Sequence, residues 1–296
     1  MFSEKMGLLY QKILAVGILC FIGSEFCYNV ENVLKWKMMM LSLISPAKSQ
    51  DFSQNAPTEL TSNVLFAEQI KQLVAKLKHY MPDEFERLMK ISPKLAEGVF
   101  DMYINFDGNH YGKDNAKQAL FAFTGDVYRG LDALTLSPAQ IDYAQEHLLM
   151  ISGLYGLIRP LDLIQAYRLE MGTKFYIDDV LLYDFWRERL TKKLNGIVKE
   201  NNHQVIVNLA SNEYSKAIDK KMIKATWLEV DFKEFHKDKY QTIALFAKRA
   251  RGRMVRYIID NNINDIEALK GFDYDGYVFN PEFSRDTSFC FTRVKP

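Results

Sequence analysis

Five cationic side chains fall within nine residues in the C-terminal part of the chain: Lys248, Arg249, Arg251, Arg253 and Arg256. No acidic residue interrupts them before Asp260. A helix through this stretch places Arg249, Arg253 and Arg256 on one side, because they follow i, i+4, i+7 spacing. Cations at this spacing repel each other, so they need either acids from elsewhere in the fold or an external anion.

Two interpretations of this basic helix stay open. A guanidinium group presents a planar fork of donors that matches phosphate oxygens, and four of the five cations are arginines. The helix therefore qualifies as a phosphate-binding face for a nucleic acid or a nucleotide. The alternative is a helix whose arginines are solvated or paired with acids inside the fold.

Polar clusters follow several apolar, strand-length runs, and they are the second candidate for chemistry. In α/β sheets ligands bind at the carboxyl ends of strands, so these clusters predict one shared cleft with the basic helix as its wall. Glu213, Asp126 and Tyr128 are the catalytic candidates there, the two carboxylates as general acid or base. The alternative is that each residue only caps a strand or satisfies a turn. The clusters are Ser45 and Lys48; Gly125, Asp126 and Tyr128; Tyr155 and Arg159; and Asn208, Ser211, Glu213 and Tyr214.

The sequence carries no recognisable metal or cofactor motif. Its five histidines are scattered, and neither zinc-ligand spacing nor a phosphate-binding glycine loop occurs. We therefore expect no metal site and no cofactor. Of three cysteines, Cys290 lies in a strand-like setting that favours a buried, inert thiol.

A helix, a tight turn and a second helix are predicted between Pro82 and Gly98, because Pro82 suits a first helical turn and Ser92-Pro93 restarts the chain. Such a hairpin can bind DNA phosphate through backbone amides at the start of its second helix. The turn lacks glycine, and Pro93 removes one donor. These residues favour a plain corner over the DNA-binding form.

The elements that must position these residues alternate between strands and helices. Strands are predicted at 39–44, 121–128, 148–154, 205–209, 224–231, 240–246, 274–279 and 288–293, with helices at 64–80, 137–146, 178–198, 246–261 and 264–269. This order predicts an α+β or mixed α/β fold: one compact domain over residues 38–296, with a central mixed sheet and surrounding helices. The net charge of +1 means that any phosphate-binding surface must be local.

The first 37 residues differ from the rest of the chain. An apolar run from Ile13 to Ile22 has the length of a signal-peptide core and is too short to cross a membrane. A clear cleavage site is missing after it. We interpret residues 1–37 as an extension upstream of a start codon among Met38, Met39 and Met40, with a signal-like anchor as the alternative.

Six motifs recur in the order and spacing of a known family. The motifs are Leu43-Ile-Ser-Pro-Ala-Lys48, Phe123-Thr-Gly-Asp-Val-Tyr-Arg-Gly-Leu131, Ser152-Gly-Leu-Tyr-Gly-Leu-Ile-Arg-Pro-Leu-Asp162, Tyr167-Arg-Leu-Glu-Met-Gly172, Asn208-Leu-Ala-Ser-Asn-Glu-Tyr214 and Ala247-Lys-Arg-Ala-Arg-Gly-Arg-Met254. Through them, from about Met39 onward, the chain closely resembles the YaaA family of bacterial peroxide-stress resistance proteins.

The resemblance implies a cytoplasmic protein that keeps unincorporated iron low during hydrogen peroxide stress. It also implies a basic cleft, a helix-hairpin-helix element over Phe85–Gly98 and binding of double-stranded DNA. The expected phosphate-binding residues are Lys94, Lys248, Arg249, Arg251, Arg253, Arg256, Lys48 and Arg159. The alternative is an enzyme that acts on a nucleotide, a nucleic acid or a phosphorylated small molecule in the same cleft. No membrane partner is expected for the main domain.

Overall fold

Apolar, strand-length runs form the centre of an eight-stranded sheet. The computed structural model describes residues 39–294, so the predicted extension over residues 1–37 lies outside the described residues. The strands are β1 (Met39–Ile44), β2 (Lys117–Gln118), β3 (Leu148–Ser152), β4 (Gly156–Ile158), β5 (Leu163–Ile164), β6 (Tyr176–Ile177), β7 (Val180–Leu181), β8 (His203–Asn208), β9 (Thr226–His236), β10 (Lys239–Gln241), β11 (Val278–Phe279) and β12 (Ser288–Val294).

The main sheet is mixed, with parallel pairing at its centre. Its order is β11-β12-β9-β8-β1-β3-β4, and β10 pairs with β9. The strands from β12 to β3 are parallel, whereas β4, β10 and β11 pair antiparallel. Leu41, Leu43 and Ile206 are almost fully buried, as expected for central parallel strands covered on both faces. The predicted mixed α/β fold is confirmed.

The helices connect and cover this sheet. They are α1 (Ala67–Leu77), α2 (Pro82–Met89), α3 (Pro93–Ile104), α4 (Ala119–Ala122), α5 (Asp126–Leu131), α6 (Pro138–His147), α7 (Leu182–Glu200), α8 (Asn212–Ser215) and α9 (Ala244–Asp260). Short 3-10 turns lie at Ala133–Thr135, Lys220–Met222, Glu267–Gly271, Tyr274–Gly276 and Pro281–Phe283.

The path of the chain creates a switch point between β1 and β8. From β1 the chain moves to β3 on one side, and it later returns to β8 on the other side of β1. Connections leaving two adjacent parallel strands in opposite directions open a crevice at their carboxyl ends. Ile44 ends β1 and Asn208 ends β8 at this position.

Two glycines bring α9 directly against α5, which follows this crevice. A Cβ at Gly252 would overlap the carbonyl oxygen of Val127, and one at Gly130 would overlap the carbonyl oxygen of Arg249. The backbones can approach this closely only because neither residue has a side chain. The crossing fixes the basic helix beside the start of α5.

The predicted strand over 121–128 is wrong. The segment forms α4, a turn at Gly125 and the start of α5. A short apolar run cannot be distinguished from a buried helical turn by periodicity alone. Gly125 has φ of 107°, a conformation that a glycine tolerates and that breaks the segment in two.

Other boundaries also differ from the prediction. The strand predicted over 224–231 runs as β9 to His236, and the one over 240–246 shortens to β10 because α9 begins at Ala244. The helix predicted from Asp178 begins at Leu182. Asp178 and Asp179 instead occupy the left-handed region, in the two-residue turn between β6 and β7.

The predicted helix, turn and helix are present as α2 and α3. Lys90 ends α2 in the left-handed region with φ of 52°, and Pro93 begins α3. The aromatic rings of Phe85 in α2 and Tyr103 in α3 stack with centroids 5.5 Å apart. These contacts hold the two helices as one unit, and their role toward DNA stays a prediction.

Candidate functional site

A cavity of about 280 Å³ lies at the switch point of the sheet. It receives residues from the segments that follow β1 and β8, from the start of α5 and from α9. Its lining consists of Ser45, Pro46, Ala47, Lys48, Ser49, Thr124, Gly125, Asp126, Val127, Tyr128, Leu209, Ser211, Glu213, Tyr214, Lys248 and Arg251. Three of the four predicted strand-end clusters therefore meet here, together with part of the basic helix. We call it the strand-end cavity.

Two serines join the strand ends beneath the cavity. The Ser211 backbone N–H donates to Ser45 Oγ at 2.9 Å, and Ser45 Oγ donates to Ser211 Oγ at 3.3 Å. Ser211 Oγ thus acts as an acceptor inside the protein. Its own proton remains available for an acceptor in the cavity.

The start of α5 contributes a carboxylate and a buried phenol. Asp126 pairs with Arg129 at 3.0 Å, so its charge is partly compensated. Tyr128 donates its hydroxyl to the carbonyl oxygen of Ser45 at 3.2 Å. Burial raises the pKa of Tyr128 well above its ordinary value, helped by the neighbouring Tyr167. Tyr128 therefore stays protonated and holds the loop after β1.

Glu213 is exposed at the cavity rim. Its Oε1 accepts a hydrogen bond from the Gly172 backbone N–H at 3.1 Å, and its carbonyl oxygen accepts one from the Tyr183 hydroxyl at 2.7 Å. Only one carboxylate oxygen is fixed in this way. The other oxygen has no hydrogen-bond partner within residues 39–294, and a catalytic role for Glu213 stays a prediction.

Arg251 and Lys248 are the basic residues that α9 presents to the cavity. Arg251 Nε is buried and has no hydrogen-bond partner within residues 39–294. Burial lowers the pKa of Arg251, although Asp231 and Glu229 on β9 act in the opposite direction. Arg251 is half-buried and forms no ion pair within residues 39–294, so its position beside the cavity suits an external anion.

The other arginines of α9 have partners inside the fold. Arg249 and Arg253 lie 3.5 and 3.6 Å from the two carboxylate oxygens of Asp275. Arg256 donates to Asp260 at 2.8 Å. The side chain of Arg253 is 28% exposed and that of Arg256 only 18%. The predicted common side is present, and the acids that balance it come from the fold.

Lys48 sits in a small charge network at the other side of the cavity. It pairs with Glu170 at 2.9 Å, and Arg168 approaches the same carboxylate at 3.4 Å. The Nε of Arg168 is buried and has no hydrogen-bond partner among residues 39–294. Two cations thus share one carboxylate, which leaves a positive excess here.

A second cavity, of about 720 Å³, adjoins the first. Both are lined by Glu213, and the Lys48–Glu170 pair joins one lining to the other. The second cavity is lined by Tyr80, Glu84, Arg87, Leu88, Met89, Lys90, Glu170, Gly172, Thr173, Lys174 and Glu213. It therefore extends from the strand ends to the turn between α2 and α3. We call the two cavities together the basic groove.

Two predicted binding residues lie away from these linings. Lys94 is exposed in the first turn of α3 and lines neither cavity. Arg159 pairs with the buried Asp162 at 2.9 Å and donates to the carbonyl oxygen of Asn63 at 2.7 Å. Tyr155 is also buried, where its hydroxyl accepts from the Gln165 backbone N–H at 2.8 Å. These contacts tie the cluster after β3 to the fold, and phosphate binding by Arg159 stays a prediction.

Sequence reasoning missed Lys90 and Lys174 as groove residues, because no periodic pattern connects them to the strand ends. It also missed the role of Gly252. A glycine inside a helix costs about 1 kcal/mol of stability relative to alanine, so a glycine at this position indicates a close contact with another element.

Cys290 is buried, as expected, and burial raises the pKa of its thiol to about 11. Within residues 39–294 no group of three or more His, Cys, Asp or Glu side chains is arranged to hold a metal ion. In the same range, no helix is both long enough and apolar enough to cross a membrane.

The fold and site together define a class of protein: a mixed α/β domain with an anion-suited cavity at its switch point. The model of the family described as peroxide stress protein YaaA matches residues 40–283. A UPF0246 protein of Francisella philomiragia is 53% identical over 254 residues, which cover 86% of this chain and 100% of that relative. One from Francisella tularensis subsp. novicida is 52% identical with the same coverage. The chain belongs to the YaaA peroxide stress family.

Proposed function

We propose that this protein protects bacterial cells from hydrogen peroxide by limiting free intracellular iron, and that it binds double-stranded DNA along the basic groove. Membership of a peroxide stress family supports the first part. The observation that carries the second is the continuity of the two adjoining cavities, with basic residues at both ends. An extended polyanion is the ligand that such a groove suits best.

The groove offers cations that the fold leaves uncompensated. Lys90 and Lys174 line the second cavity, and Lys248 lines the strand-end cavity. None of the three forms an ion pair with another residue of 39–294. Lys94 lies close by in sequence, at the start of α3. Lysine and arginine bind the DNA backbone without reading its sequence. We therefore expect weak sequence preference and steep salt dependence.

A salt series tests the DNA-binding part. Affinity for a fluorescent duplex should fall steeply between low and physiological salt, because each neutralised phosphate releases counterions. The triple variant Lys90→Gln, Lys94→Gln, Lys174→Gln should lose about tenfold in affinity and have a shallower slope. Lys76→Gln, on α1, is the matched control. Equal binding by wild type and the triple variant would exclude this groove as the DNA surface.

The peroxide part is tested in cells. We place the protein in the cytoplasm, where free iron reacts with peroxide. A strain that lacks it should survive hydrogen peroxide poorly and should show a larger chelatable iron signal by electron paramagnetic resonance. Expression of this chain should restore both values. Restored survival with unchanged iron would contradict control of iron as the route of protection.

A second candidate function is an enzyme that acts on a phosphate-bearing small molecule. The switch-point position of the strand-end cavity favours it, since this is where α/β sheets hold small ligands. Glu213 is the general acid or base, with Asp126 held by Arg129 as the weaker candidate. Glu213→Gln should abolish peroxide resistance and leave DNA affinity intact. Full resistance in that variant would exclude a catalytic Glu213.

A further inference from the structure

We propose that the strand-end cavity binds a terminal phosphate monoester, carried by a nucleotide or by the 5′ end of a DNA strand, with Arg251 as its anchor. This deepens the proposed function, because it assigns one end of the basic groove to a phosphate of distinct chemistry. The observation that supports this proposal is that Arg251 and Lys248 line the cavity and form no ion pair within residues 39–294.

The cavity holds a second donor beside this cation. Ser211 Oγ accepts the hydroxyl proton of Ser45 at 3.3 Å, so the proton of Ser211 itself is free to turn toward the cavity. A guanidinium and a hydroxyl donor together match the oxygens of a phosphate. Among the described residues, no acceptor for the hydroxyl proton of Ser211 is present.

The charge balance of the lining also favours an anion. Lys48 pairs with Glu170, and Asp126 pairs with Arg129. Lys248 and Arg251 then remain in the lining against the single carboxylate of Glu213. The lining is therefore positive on balance. A terminal monoester carries a charge of about −1.5 to −2, whereas an internal diester carries about −1, so the monoester gains more from these cations.

Size distinguishes terminal from internal phosphates. The cavity measures about 280 Å³, which suits one phosphate with part of a sugar. Duplex DNA, whose major groove alone is about 12 Å wide, can lie across the mouth of the groove but cannot enter this cavity. An internal phosphate of the duplex therefore contacts the exposed lysines of the groove, whereas the end of a strand can reach Arg251. The larger second cavity beside it has room for the backbone that follows.

The test compares matched ligands in the full chain. One pair is a duplex with 5′-phosphate against the same duplex with 5′-hydroxyl, measured by fluorescence anisotropy. The other pair is adenosine 5′-monophosphate against adenosine, measured by calorimetry. We expect about tenfold tighter binding of each phosphorylated partner, a difference typical of one desolvated charge-assisted contact. Arg251→Met should remove the preference.

Two further variants keep the result interpretable. Ser211→Ala should reduce the preference two- to fivefold without removing a charge, which covers the case in which Arg251→Met fails to fold. Arg285→Met removes an exposed arginine that lines neither cavity and should retain the preference.

The outcomes separate this inference from the proposed DNA binding. Binding of adenosine 5′-monophosphate without any binding of duplex would support the phosphate site and overturn the DNA groove. Equal binding of both duplexes, with no binding of the mononucleotide, would overturn the phosphate site and leave the groove intact. An unchanged preference in both Arg251→Met and Ser211→Ala would also overturn it.

Discussion

The two sides of α9 carry the same kind of residue and have opposite electrostatic surroundings. On one side, Arg249 and Arg253 meet Asp275 and Arg256 meets Asp260. On the other side, Arg251 lines the strand-end cavity and forms no ion pair within residues 39–294, although the Nε atoms of Arg251 and Arg253 both lack a hydrogen-bond partner there. The first side is paired with acids of the fold, the second lines a cavity, and the role of either side in phosphate binding stays a prediction.

This difference teaches that a run of cations is not one functional unit. Asp275 comes from the turn Tyr274–Gly276, and it occupies the left-handed region with φ of 56°. Its distance in sequence from the arginines hides the pairing until the chain is folded. Clustering in sequence therefore shows that cations are present, and tertiary contacts decide which of them can bind phosphate.

The largest expected effect is a loss of stability on substitution of Gly252, the residue at which α9 packs against α5. Gly252→Ala places a methyl group against the Val127 carbonyl and pushes α9 away from α5. Overpacking against rigid backbone should lower the free energy of unfolding by about 3 kcal/mol. Urea denaturation measures this loss. Ala250→Gly, on the same helix, is the control for helix propensity and should cost only about 1 kcal/mol.

The next largest effect is a difference in stability between variants on the two sides of α9. Arg256 donates to Asp260 at 2.8 Å and to the Asp132 carbonyl oxygen at 3.2 Å, so Arg256→Met should cost about 2 kcal/mol by removing these hydrogen bonds and the ion pair. Arg251→Met removes a half-buried cation that has no ion pair within residues 39–294 and should leave stability unchanged or higher. Thermal unfolding compares the two. Equal losses would mean that Arg251 also supports the fold.

The opposite end of β8 gives a pH-dependent prediction. Burial lowers the pKa of His203 to about 4, and the nearby His147 acts in the same direction. The unfolded chain, with an ordinary pKa near 6.5, binds more protons between these values. Stability should therefore fall by about 1 kcal/mol per pH unit as pH drops from 6.5 toward 4. His203→Gln should flatten this dependence in urea titrations, and an unchanged slope would contradict it.

The smallest expected effect comes from removing the carboxylate that pairs with Arg249 and Arg253. Asp275→Asn leaves Arg249 and Arg253 without their carboxylate. Partly exposed pairs contribute little, so stability should fall by less than about 1 kcal/mol. Affinity for duplex DNA should change by less than about twofold, because Arg249 and Arg253 line neither cavity of the basic groove. A larger rise in anisotropy titrations would show that this side of α9 faces DNA.

The sequence predicts the strands at the sheet centre well, because β1 and β8 are continuous apolar runs that both faces bury. It also predicts that Ser45, Asp126 and Glu213 share a cleft. It does not predict the helical state of Asp126 and Tyr128, since an apolar run beside Gly125 suits a strand or a helix equally. Long-range pairs such as Lys48–Glu170 depend on the packed structure alone.

The pairing of the arginines is equally hidden from the sequence. Helical periodicity correctly groups Arg249, Arg253 and Arg256, and it makes them the apparent ligand-binding set. The folded chain instead supplies Asp275 and Asp260 to that set and leaves Arg251 on the cavity side. A periodic pattern describes one helix, whereas charge compensation is a property of all the elements packed around it.

The most direct test of this account is the binding of a 5′-phosphorylated duplex by Arg251→Met and Arg253→Met over a salt series. The account predicts that Arg251→Met loses about tenfold in affinity and about one unit of salt slope, while Arg253→Met behaves as wild type. The opposite result, with Arg253→Met impaired and Arg251→Met unaffected, would contradict it and make the paired side of α9 the phosphate-binding surface.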